Sequence, residues 1–340
     1  MWSLQHVQYA TIRAIANTSL YIKSSSYLSP STQPDLFKTY PTRPHLYACR
    51  IFLPKSHRES QSQSQGQEPK TLPLIIRAHG GGFVVNAPAA DDILARRLSD
   101  TANCLVVSLD YSKSPQNKFP AAYEDVIAQS LSIIEDSELP IDKSKVILCG
   151  SSAGGNLLLA ASSDPRLRSK LAGVISIYPV VDFAPGAAAK MATRPDPSVP
   201  DFIGGSWHAI QSLYLPDCPA DQPSMDDPRL SPTFFSSRQD FPPEVLLIGA
   251  EHDMFCAELG DMAEKLAAGR ARVGLEGKGK AEWKAEGVRW YKGLGQAHAF
   301  EGFKGKTAEA EEERVEAVDG MVGCMVEWVG EVVTKGHGKQ

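Results

Sequence analysis

Six cysteines in 340 residues, at positions 49, 104, 149, 218, 256 and 324, form no CxxC pair. They are too sparse for a disulfide scaffold and have no spacing suited to zinc, so free thiols in a reducing compartment are expected. Positive charge is not in excess either. Lys and Arg number 35 against 40 Asp and Glu, a formal net charge of −5, which excludes charge-driven nucleic-acid binding as a default. No apolar run reaches the roughly 18 residues of a membrane span. Residues 1–26 are interrupted by Gln5, His6, Gln8 and Arg13 and lack the apolar core of a signal peptide. A cytoplasmic protein is the expectation, and the sequon at Asn17-Thr18-Ser19 carries little weight. No internal repeat is evident.

What is present is an ordinary globular composition, 42% hydrophobic and 22% charged, and an alternation of strand and helix signals. Apolar runs over Leu72–Ala78, Cys104–Leu109, Val146–Cys149, Leu171–Ile177 and Val245–Gly249 read as strands buried on both faces. His45–Leu53 and Val288–Tyr291 read as further strands. Between them, helical spacing predicts helices over Ala90–Ala102, Ala121–Glu135, Ala153–Ser162 and Leu259–Ala268. A long helix over Glu309–Val333 has a stripe from Val315 and Val318 to Val329 and Val332. Such alternation predicts an α/β fold, with a mostly parallel central sheet flanked by helices. Residues 1–30 read as an amphipathic arm, 30–44 as a connecting loop, and Ser56–Lys70, with its SQSQSQGQ tract, as a mobile polar loop. Pro and Gly are dense over 179–243, where short elements are expected. Residues 269–287, rich in Lys, Glu and Gly, read as a surface insertion.

Two glycine-rich turns carry the chemistry. Gly150-Ser151-Ser152-Ala153-Gly154 follows a buried strand and opens a helix, the context of a G-x-S-x-G nucleophile elbow. There a sharp turn holds the serine in a strained backbone state, and the flanking glycines let neighbouring backbone pass close. Ser152 is therefore the candidate nucleophile. His79-Gly80-Gly81-Gly82-Phe83 follows the strand Leu72–Ala78. Consecutive glycines suit a loop whose backbone must come very near a bound group. The N–H groups of Gly81, Gly82 and Ala153 can form a three-donor oxyanion hole. A phosphate loop would end in Lys-Ser/Thr, and Phe83-Val84 stands there instead.

With DYSKSPQNKFPAAYED at 110–125 and Tyr178-Pro179 added, the chain resembles the hormone-sensitive-lipase branch of the α/β-hydrolase esterases over about residues 45–330. Ser151 stands where many members have Asp, and Ala299 where many have Gly. The resemblance implies a single α/β-hydrolase domain over 1–340, with residues 1–40 and 184–235 as cap over an acyl pocket. Phe202, Ile203, Trp207, Leu213 and Tyr214 are candidate pocket residues in that insert.

A serine hydroxyl needs an adjacent base. Of eight histidines, His6, His45 and His57 precede the core, His337 is in the tail, and His79 braces the glycine loop. His208, His252 and His298 remain. In the chain order Ser, acid, His, His298 alone lies behind both a carboxylate-bearing loop and the last strand. Asp253, after the strand Val245–Gly249, is the expected acid, with Glu251 a close competitor and Asp182 a more distant one; Glu258 reads as a helix-start residue. The expectation is a serine carboxylesterase acting on small to medium acyl esters, with small-molecule ester partners, no metal and no cofactor. Acyltransferase or lyase chemistry, or a non-catalytic ligand-binding protein, are the alternatives. Oligomeric state stays open, a homodimer included.

Overall fold

The computed structural model describes residues 30–61 and 70–335. Of the arm expected over residues 1–40 only the last part falls within them. The sequon at Asn17 and residues 62–69 of the polar tract lie outside.

A ten-stranded sheet runs in the order β1-β2-β4-β3-β5-β6-β7-β10-β9-β8. Its central strands are parallel neighbours: β4 (Leu105–Leu109), β3 (Leu72–Ala78), β5 (Ile141–Ser151), β6 (Gly173–Ile177), β7 (Glu244–Ala250) and β10 (Val288–Gly293). Antiparallel pairs finish both edges, with β1 (Leu36–Lys38) and β2 (Cys49–Phe52) on one side and β8 (Val273–Leu275) and β9 (Lys280–Ala285) on the other. The observed architecture is the mostly parallel sheet with flanking helices that the alternation predicts.

The strands are buried on both faces because both faces are covered. Successive residues point to opposite sides, so Ile76, Leu148 and Leu247 enter one core while Ile75, Ile147 and Leu246 enter the other. Helices α1 (Lys55–Gln61), α2 (Asp92–Ala102), α3 (Ala121–Ile134), α4 (Ala153–Ala161) and α5 (Pro165–Arg168) belong to the first half of the chain. The second half adds α6 (Ala187–Met191), α7 (Phe202–Tyr214), α8 (Cys256–Leu266) and α9 (Ala308–Lys335). On α9 the stripe Val322, Met325, Val329 and Val332 is buried with Met321 and Trp328 against β6, β7 and β10, but Val315 is exposed. The first turns of α9 precede its buried segment, which starts at Ala317.

Several boundaries differ from the sequence reading. The strand expected over His45–Leu53 shrinks to Cys49–Phe52 because residues 41–46 turn, and the Tyr47 N–H is taken by Asp110 Oδ2 at 3.1 Å. Lys55–Gln61 is helical rather than loop. Residues 269–287 supply β8 and β9, with buried Glu282 accepting from Arg289 Nε at 2.5 Å across to β10. Among the described residues no helix is long and apolar enough to cross a membrane.

Candidate active site

The parallel strands end at one edge, and the loops leaving β3, β5, β7 and β10 meet there. The turn after β5 is the tightest. Ser152 has φ 52° and ψ −120°, a conformation that a non-glycine residue occupies only under constraint. The constraint is visible in its neighbours. The Ser152 N–H donates to Ile177 O on β6 at 2.8 Å, and its carbonyl accepts from Asn156 N at 2.9 Å as α4 begins. A Cβ on Gly150 would lie 2.2 Å from Gly154 O, and one on Gly154 would lie 2.2 Å from Ala78 O. Both elbow glycines are therefore required by backbone running alongside.

The glycine loop folds onto this elbow. A Cβ on Gly80 would sit 3.2 Å from Ser152 Cβ. Gly81 and Gly82 have φ of +135° and +57°, and a Cβ on Gly81 would meet Val85 O at 2.3 Å. Among the described residues no acceptor takes the N–H of Gly81 or Gly82. Ala153, at the first position of α4, has no intrahelical acceptor for its own. Behind the loop, buried His79 stacks on Tyr111 with ring centroids 4.5 Å apart and reaches Gly80 O at 2.7 Å and Asp110 Oδ1 at 3.3 Å. Burial, with Lys113, lowers the His79 pKa against the pull of Asp110. Burial opposes ionisation of Asp110, but the His79 hydrogen bond and Lys113 outweigh it and hold the carboxyl down at about 2.

His298 brings the remaining loops together. Its Nε2 is 2.9 Å from Ser152 Oγ, and its Nδ1 is 2.7 Å from Asp253 Oδ2. Asp253 is buried, and its other oxygen accepts from Phe255 N at 3.0 Å. Of the three carboxylates weighed, Asp253 alone meets the imidazole. Glu251 instead accepts from Gly295 N at 2.8 Å, and the backbone pairs Glu251 N to Gly293 O and His252 N to Gln296 O stitch the two loops together. Asp182 closes its own turn by accepting from Ala184 N. His208 is exposed on α7, and the carbonyl of His252 accepts from Arg194 Nε at 2.6 Å. An imidazole so placed can draw the proton from a serine hydroxyl while a buried carboxylate fixes its tautomer.

Several residues around the site have contacts that the sequence did not reveal. Tyr178 (φ 38°) tilts its ring over His298 at 4.8 Å and engages Glu301, whose carboxyl is pushed up to about 7 by burial. Ser151, the departure next to Ser152, accepts from buried Arg77 Nη2 at 3.3 Å, and Arg77 pairs with Asp91 at 3.0 Å. Ala299 adopts the left-handed conformation (φ 57°, ψ 35°) in which glycine is favoured. Glu258 lies in the first turn of α8, and it also accepts from Val181 N at 2.9 Å and pairs with buried Lys190 on α6. Burial pushes its carboxyl up to about 7 against Lys190. Lys190 Nζ lies over the rings of Trp207 and Phe255 at 5.4 and 5.1 Å.

The start of α7 was legible in principle, since Asp201 precedes an apolar periodic run. Asp201 Oδ1 accepts from Ile203 N and Gly204 N at 2.8 and 3.1 Å, and Oδ2 from Met254 N at 2.9 Å. One carboxylate thus caps the helix and ties it to the acid loop. Of the five residues expected in the insert, Ile203, Trp207 and Tyr214 are buried, Leu213 is half-buried and Phe202 is exposed. Tyr214 stacks on Phe83 at 3.9 Å, and Ile210 Cδ1 lies 3.2 Å from where a Gly82 Cβ would be.

Comparison with known proteins follows the same lines. Residues 75–279 match the model of a family described as alpha/beta hydrolase fold. Over 110 residues the chain is 36% identical to an arylesterase of Saccharolobus solfataricus, a stretch that is 32% of this chain and 36% of that protein. The match thus spans about a third of the curated relative's length. Among solved structures, an esterase of Pyrobaculum calidifontis superposes with a TM-score of 0.71 at 23% identity, covering 96% of this chain and 94% of that one. A thermophilic, thermostable carboxylesterase cloned from a metagenomic library gives 0.69 at 22% identity, covering 95% and 96%. These two similarities are of fold.

Proposed function

Since the chain belongs to the alpha/beta-hydrolase-fold family, we propose that it is a serine carboxylesterase of the hormone-sensitive-lipase-like branch, acting on small to medium acyl esters. Ser152 is the nucleophile, His298 the base and Asp253 the acid, with Gly81, Gly82 and Ala153 as oxyanion donors. The observation that carries this reading is the continuous contact from Asp253 Oδ2 through both nitrogens of His298 to Ser152 Oγ, at 2.7 and 2.9 Å. In this reading His298 takes the Ser152 proton as Oγ attacks the ester carbonyl. The carbonyl oxygen becomes an oxyanion held by the three N–H groups. The bond to the alcohol oxygen breaks, and His298 returns the proton to that oxygen. Water then attacks the acyl-enzyme by the same route, releasing the acid and restoring the serine.

Residues 1–40 and 184–235 are assigned as the cap. The assignment is supported in the second segment by Ile210 and Tyr214, which pack on the glycine loop at Gly82 and Phe83.

A fluorophosphonate probe should label Ser152 stoichiometrically, and a series of p-nitrophenyl esters should show turnover falling as the acyl chain lengthens. Ser152→Ala should lower kcat by about 10⁴-fold or more, on the precedent of subtilisin. A folded Ser152→Ala variant with near-full turnover would remove the assignment. Absence of labelling in the native protein would favour a ligand-binding role, and ester products formed with added alcohols would favour acyl transfer.

A further inference from the structure

The esterase reading above also constrains where the alcohol half of a substrate lies, and the inference here rests on that reading. The departing oxygen takes its proton from His298 Nε2, so the alcohol must extend from beside the imidazole. Among the described residues, three aromatic rings approach His298. Tyr178 at 4.8 Å and Phe255 at 5.8 Å are buried. Phe202 stands edge-on at 5.7 Å and is 51% exposed. Its ring also meets that of Phe303, which is 44% exposed, at 5.3 Å. A single exposed phenylalanine needs no explanation, but two in contact beside a proton-donating group form an apolar surface at the site.

Phe202 is held there by its neighbour. It is the first residue of α7, directly after Asp201, whose carboxylate bonds two N–H groups of the helix and that of Met254, the residue after Asp253. Arg194 makes a second tie to the same loop through His252 O. The helix start and the acid of the triad are thereby anchored to each other, so the ring keeps its place relative to the imidazole.

We propose that Phe202 and Phe303 form an aromatic shelf for the leaving alcohol, positioned by Asp201, and that the protein selects esters whose alcohol carries a flat ring, such as benzyl or aryl esters. Ring-on-ring contact of the substrate with the shelf supplies the selectivity.

The test holds the acyl group constant. Benzyl acetate and methyl acetate release alcohols of similar acidity, so the ratio of their kcat/KM values reports contact with the alcohol rather than leaving-group chemistry. The native ratio should favour benzyl by about 10-fold or more. Phe202→Ala and Phe303→Ala should each cut that ratio by about 3- to 10-fold, mainly through KM. Phe202→Leu should retain part of it. Asp201→Ala should lower the ratio as well, with partial rescue by Asp201→Asn. A ratio unchanged within twofold in both alanine variants overturns the shelf, as does a native protein that turns over both esters with no preference for benzyl; either result leaves the esterase reading standing. If neither ester is hydrolysed and the fluorophosphonate leaves Ser152 unlabelled, the esterase reading falls, and the shelf with it.

Discussion

The loops at the ends of β3 and β5 are shaped by backbone packed on backbone, whereas residues 184–235 above them are held by side chains. In the first region a Cβ on Gly81, Gly150 or Gly154 would run into main-chain oxygen within 2.3 Å. The strained φ of Ser152 is locked by hydrogen bonds to two other elements. In the second, α6 and α7 depend on three buried charged groups. Lys190 reaches Glu258, Arg194 reaches His252 O, and Asp201 reaches Met254 N. Backbone packing tolerates no substitution and so preserves a reaction geometry. Side-chain anchoring can be altered piece by piece and so suits a segment proposed as a cap.

That contrast is sharpest at Gly154. Gly154→Ala should destabilise the protein by more than about 4 kcal/mol, at the top of the range for single substitutions, because main-chain atoms of Ala78 and His79 cannot yield independently. A urea midpoint within error of the native one would break the comparison. Next in size is Lys190→Met, which strands a buried carboxyl. It should cost about 2–3 kcal/mol at pH 9, where Glu258 is ionised, and less at pH 5, well below the value of about 7 at which Glu258 becomes neutral. Unfolding at the two pH values checks this, and equal losses at both would mean that Glu258 does not need its partner.

Asp110 belongs to the backbone-shaped region but acts by charge, through His79. A carboxyl held at about 2 instead of its ordinary 3.8 contributes stability that is present above pH 3.8 and lost as pH falls through 2. Asp110→Asn should therefore cost roughly 2 kcal/mol near neutral pH and converge with the native protein at the acid end. Parallel stability curves from pH 2 to 6 would refute the linkage. The smallest effect is expected at Ala299. Replacing it with glycine relieves the left-handed backbone, worth about 1 kcal/mol, but frees the unfolded chain. A net gain of about 0.5 kcal/mol in thermal or urea unfolding is the expected outcome. A loss would show that the methyl group, which packs on the core, outweighs the strain.

The sequence was most informative where one local pattern decides the structure. β3 has the bounds read from LPLIIRA, and the helix after Pro120 differs from its reading by one residue. Edge strands were not legible. β1, β8 and β9 are short and partly exposed, and pairing with a neighbour makes them strands. The first half of β5, Ile141–Lys145, escaped notice because its polar and charged residues are partly or fully exposed and only Ile141 has a ladder partner, the register shifting before Val146. The helix α7 was hidden by Gly204-Gly205 and the prolines around it, although Asp201 marked its start.

The G-x-S-x-G and glycine-loop segments specify their own turns, because only glycine fits their close approaches. Chain order narrowed the histidines to His298. Its place after the strand Val245–Gly249 favoured Asp253 over Asp182, but Glu251 stayed a close competitor, since Glu251 and Asp253 are two residues apart on one loop and all three carry the same functional group. Only the fold separates their contacts, with Glu251 on Gly295 N and Asp253 on the imidazole. The same holds for the proposed cap. Composition marks residues 179–243 as irregular, but where Phe202 stands depends on contacts between residues more than 50 apart along the chain, and distances of that kind are set only when the chain has folded.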